Sequence, residues 1–139
     1  MKHRGCILHF THQRNDELIK AYRKAISSRK HIDISVVSEI VVNSPCSRFW
    51  VSEERALTVI SAMMKDASVI DSMRPLKREM YKDIFDIVTQ LRKEHPDMQL
   101  FDIVILAVNT PTKKFYIKPR CAMEIIYKIK KGHYDKNRR

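Results

Sequence analysis

Between residues 113 and 139 the chain carries ten lysines and arginines against two acidic residues, so this stretch supplies +8 of a formal net charge of +11. Such a run favours contact with phosphate, because cations along one surface displace the counterions of a polyanion. Lys113, Lys114, Lys118, Arg120, Lys128 and Lys131 are the candidate phosphate contacts, continued by a basic tail over 133–139. Arg120 and Tyr127 fall off the aliphatic stripe of their helix and are the candidates for reaching base edges. Arg48 and Arg55 are the corresponding cations of the first half. Glu53 and Glu54 beside them repel phosphate, which makes that half the poorer surface. Trp50 and Tyr116 stand next to Phe49 and Phe115. In an extended segment they point away from those phenylalanines, to stack on bases or dock on a partner.

Other chemistry has less support. Cys6, His9 and His12 stand at i, i+3 and i+6, three ligands without a paired fourth, so no metal is assigned. No glycine-rich phosphate loop, nucleophile elbow or HExxH stretch is present, and no catalytic residue or cofactor is assigned. Three cysteines without a CxxC pair, and no secretory segment, predict reduced thiols in a cytoplasm. No apolar run approaches the roughly 20 residues that span a bilayer, so no membrane partner is expected.

The elements that must carry these residues are set by a repeat. Residues 43–51, NSPCSRFWV, and 109–117, NTPTKKFYI, align at an offset of 66. The register extends outward without a gap: Leu18 falls on Ile84, Val37 on Ile103, Val42 on Val108, Ala56 on Ala122 and Ile60 on Ile126. Apolar positions match while surface positions drift, the mark of one packing unit used twice. Each copy reads as three helices. The first spans roughly 12–28, with Thr11 as cap, or 76–94 after Pro75. The second is short, with stripes Ile34, Val37, Ile40 and Val41, or Ile103, Leu106 and Ala107. It ends at Asn43 or Asn109, where a left-handed residue is expected. The third begins after Ser52, or at Pro119, with stripes Ala56, Val59, Ile60, Met63 and Ala122, Ile125, Ile126, Ile129. Within the nonapeptide, Asn and Pro set a bend, Phe plugs the core, and nothing is a competent nucleophile.

RFWVSEERALTVI and KFYIKPRCAMEII together resemble short uncharacterised proteins of the Bacteroides group. The helical units separately resemble helix-turn-helix DNA-binding modules, and their tandem arrangement is similar to Myb-type repeats. Trp50 is the only tryptophan, and the link between the second and third helices exceeds the usual turn of three to four residues.

The expected fold is all-α: two tandem, similar three-helix (helix-turn-helix-like) units, 1–66 and 67–132, forming one pseudo-symmetric domain. Short extended segments are expected before each third helix, and a basic tail over 133–139. The expected function is a non-enzymatic DNA-binding protein, regulatory or mobile-element associated. The alternative is a helical protein–protein interaction module with an acidic partner.

Overall fold

The computed structural model describes the backbone of residues 4–27 and 29–132, and the side chains of 10–27 and 29–132. Among them the structure is all-helical. Six α-helices run in order: α1 (Arg4–Ser27), α2 (Ile34–Val42), α3 (Glu53–Lys65), α4 (Pro75–Glu94), α5 (Leu100–Val108) and α6 (Pro119–Lys130). A 3-10 turn over Ala67–Ile70 follows α3. The segments 48–51 and 114–117 form no strand.

Local chemistry explains most of the boundaries. Asp33 caps α2 by accepting a hydrogen bond from the Ser35 amide, and Ser52 caps α3 by accepting from the Arg55 amide. Pro75 and Pro119 open α4 and α6, where a missing N–H costs nothing. His95 ends α4 immediately before Pro96. Gly132 takes a positive φ of 72° just past α6 and donates its amide to the Ile129 carbonyl.

Two expectations fail here. The first helix does not start at Thr11 but at Arg4, and Thr11 is buried inside it. Phe10 is buried as well, so the packed face of α1 continues on the N-terminal side of Thr11. Nor are the helix-ending asparagines left-handed. Asn43 has φ −95° and Asn109 φ −92°. Each instead donates its side-chain amide one turn back, to the Glu39 and Ile105 carbonyls at 2.9 and 2.8 Å. The next residues repeat the device: the Ser44 and Thr110 hydroxyls donate to the Ile40 and Leu106 carbonyls. Orphan carbonyls at both helix ends are thereby satisfied by side chains.

The chain divides into two compact units, and neither is contiguous with one sequence repeat. The terminal unit comprises 1–46 and 113–139; the middle unit comprises 47–112. In the terminal unit α1, α2 and α6 pack on one another. Its core holds Leu18 and Tyr22 of α1, Val37 and Val41 of α2, and Ala122 and Ile126 of α6. In the middle unit α3 packs against α4 and α5. Its core holds Ala56 and Ile60 of α3, Ile84 and Val88 of α4, and Ile103 and Ala107 of α5. The boundary expected at 66/67 is therefore not where packing divides. The third helix of each repeat sits with the first two helices of the other.

Each nonapeptide carries the chain from one unit to the next. Phe49 is buried in the middle unit, its amide donating to the Val108 carbonyl at 2.9 Å. Phe115 is buried in the terminal unit, its amide donating to the Val42 carbonyl at 2.9 Å. Each phenylalanine is thus pinned to the end of the other repeat's second helix.

Candidate nucleic-acid interface

The terminal unit gathers most of the candidate residues. Lys113 and Lys118 are exposed on the segment entering α6, and Lys114 is half-buried. Arg120, Tyr127, Lys128 and Lys131 are exposed on α6 or at its end, with Tyr127 59% exposed. The apolar stripe expected for this helix accounts for the pattern: Ala122 and Ile126 are buried, Ile125 and Ile129 half-buried. Lys130 points elsewhere. Its ammonium donates to the Tyr22 hydroxyl at 3.1 Å and lies 4.5 Å from that ring's centre, tying the end of α6 to α1. Lys131 stands 4.7 Å over the Tyr127 ring, and Lys114 5.5 Å over Tyr116.

Acids temper one part of this surface. A cleft of about 620 Å³ between α2 and α6 is lined by Arg120 and Tyr127, but also by Glu39 and Glu124. Those carboxylates disfavour phosphate there. The lysines on the approach to α6 and at its C-terminal end do not line this cleft.

Arg48, Arg55 and Trp50 belong to the middle unit and not to the unit that holds α6. Arg48 corrects the sequence expectation. It is 4% exposed and serves the protein's own backbone: Nε donates to the Phe49 carbonyl at 2.9 Å and Nη2 to the Val51 carbonyl at 2.7 Å. Burial lowers its affinity for the proton, while Glu53, with a carboxylate oxygen 3.9 Å away, opposes that effect. A guanidinium so engaged presents nothing to a phosphate. Arg55 is exposed, and its positive charge opposes the effect of burial on the Tyr81 hydroxyl. Trp50 and Tyr116 are both half-buried. Tyr116 has φ 58°, the left-handed region that a bulky residue seldom occupies.

Regrouping the helices also regroups the charge. The terminal unit holds 18 basic against 6 acidic residues, a net +12. The middle unit holds 9 basic against 10 acidic, a net −1. The whole surplus of the protein belongs to one unit. Sequence reasoning missed the contribution of α1, whose Lys20, Arg23 and Lys24 share a unit with α6; the contiguous repeat pairs α1 with α3 and so hides it.

Among the described residues no group of three histidine, cysteine or acidic side chains could hold a metal ion. The Cys6 and His9 side chains and the tail 133–139 lie outside the described residues. Among the described residues no helix is long and apolar enough to cross a membrane. Comparison with protein families, with curated proteins and with solved structures finds no match for the chain.

Proposed function

We propose that the protein binds DNA without catalysis of its own, through the terminal unit, as a regulatory or mobile-element-associated factor of the cytoplasm. The observation that carries this reading is the charge distribution: +12 on a unit of three packed helices, against −1 on the other. In this reading the two units are diverged copies of one helix-turn-helix-like module that have exchanged third helices. α6 is then the third helix of the module that α1 and α2 begin.

Lys113, Lys114, Lys118, Lys128 and Lys131 contact phosphates. Arg120 and Tyr127 meet base edges instead, because Glu39 and Glu124 beside them repel the backbone. The middle unit, with Arg48 internal and a net charge of −1, contributes little.

The test is a fluorescence-anisotropy titration against a random duplex of about 30 base pairs at several salt concentrations. Five phosphate-contacting lysines each displacing about 0.9 counterion predict a log–log slope of about −4.5. Absence of binding at low salt overturns the proposal.

A further inference from the structure

The terminal unit carries a second groove, between α1 and the end of α2, with a volume of about 580 Å³. Its apolar lining is Ala21, Ala25, Ile40 and Pro45. Ile40, expected in the core from its spacing, is 36% exposed. The charged lining is Lys20, Lys24 and Arg29 against the single carboxylate of Glu17.

The repeat supplies an internal comparison. At the positions 66 further on, Ala21 and Ala25 become Ile87 and Leu91, both half-buried. Lys20 and Lys24 become Asp86 and Gln90. One copy thus carries its own aliphatic bulk and an acid where the other carries two methyl groups and two lysines. The bulk missing from the terminal unit is that of a Leu or Ile side chain, and the charge missing is negative.

We infer that this groove docks an acidic amphipathic helix of a partner protein. Its Leu or Ile side chains enter over Ala21 and Ala25, and its flanking carboxylates face Lys20, Lys24 and Arg29. Nucleic acid satisfies the cations alone; the apolar lining calls for an apolar occupant. The inference uses none of the residues assigned to phosphate or base contact, although Lys20 and Lys24 also belong to the +12 of the terminal unit.

The probe is a synthetic helix of about 16 residues with Leu at i, i+3 and i+4 spacing and Glu elsewhere, compared with its Lys-for-Glu counterpart. Amide chemical shifts of the full chain report the site. The acidic peptide is expected to perturb residues 20–25 and 40–45, and the basic one to leave them unmoved. Lys20→Glu with Lys24→Glu weakens binding about tenfold or more. Ala21→Ile, the residue the other repeat carries, blocks the peptide without lowering the thermal midpoint. Perturbations centred on α6, an equal response to the basic peptide, or undiminished binding by Ala21→Ile overturns the inference. So does displacement of the peptide from these residues by a random duplex, which assigns the groove to nucleic acid.

Discussion

Arg48 illustrates how far a single residue's role depends on its surroundings. Its two donated hydrogen bonds go to carbonyls two residues apart, a geometry that a forked guanidinium meets and an ammonium does not. Arg48→Ala is therefore expected to cost about 2–3 kcal/mol in urea denaturation, and Arg48→Lys to recover little of it. Duplex affinity should stay unchanged in any variant that still folds. Nothing in the string SRFWV marked this arginine as internal. A basic residue beside aromatics reads equally well as a phosphate contact, and only burial separates the two. Tyr81 gives a pH-dependent counterpart. Burial raises its hydroxyl above the ordinary tyrosine range, with Arg55 opposing. Its contribution to stability is thus complete below about pH 10 and is lost as pH rises, because the unfolded chain releases that proton first. Denaturation midpoints followed through that range should fall less steeply in Tyr81→Phe.

At the level of elements, the nonapeptide works as a connector rather than a site. Phe49 and Phe115 are 2% and 1% exposed, so replacing either by Ala should cost about 3–5 kcal/mol in denaturant unfolding. Asn43→Asp removes the donor to the Glu39 carbonyl and should cost about 1 kcal/mol. Helices α3, α4 and α6 were legible because their apolar stripes coincide with strong start signals at Ser52, Pro75 and Pro119. The start of α1 was not, since Thr11 is as good a cap in isolation as it is a buried helical residue in context. The short α2 and α5 were legible as helices but not in their faces. Ile40 and Leu106 follow the spacing of the buried valines yet remain 36% and 45% exposed. In a nine-residue helix with apolar residues all round, periodicity cannot choose which side is packed.

For the whole molecule, the repeat was visible in the sequence but its packing partner was not. A matched apolar pattern predicts equivalent surroundings for Ala56 and Ala122, and both are buried. It does not fix which copy supplies them, because both arrangements bury the same side chains. The packing changes the functional reading through charge: α1, α2 and α6 share one unit at +12, and the other is near neutrality. The most direct measurement compares duplex affinity, at one fixed salt concentration, for two double variants. Lys128→Glu with Lys131→Glu changes the terminal unit. Lys82→Glu with Lys93→Glu changes exposed lysines of the middle unit. Both alter the net charge of the protein equally, so any difference reports location. The account predicts about a tenfold or greater loss for the first pair and less than about a twofold change for the second. Equal losses, or none in either, would contradict it.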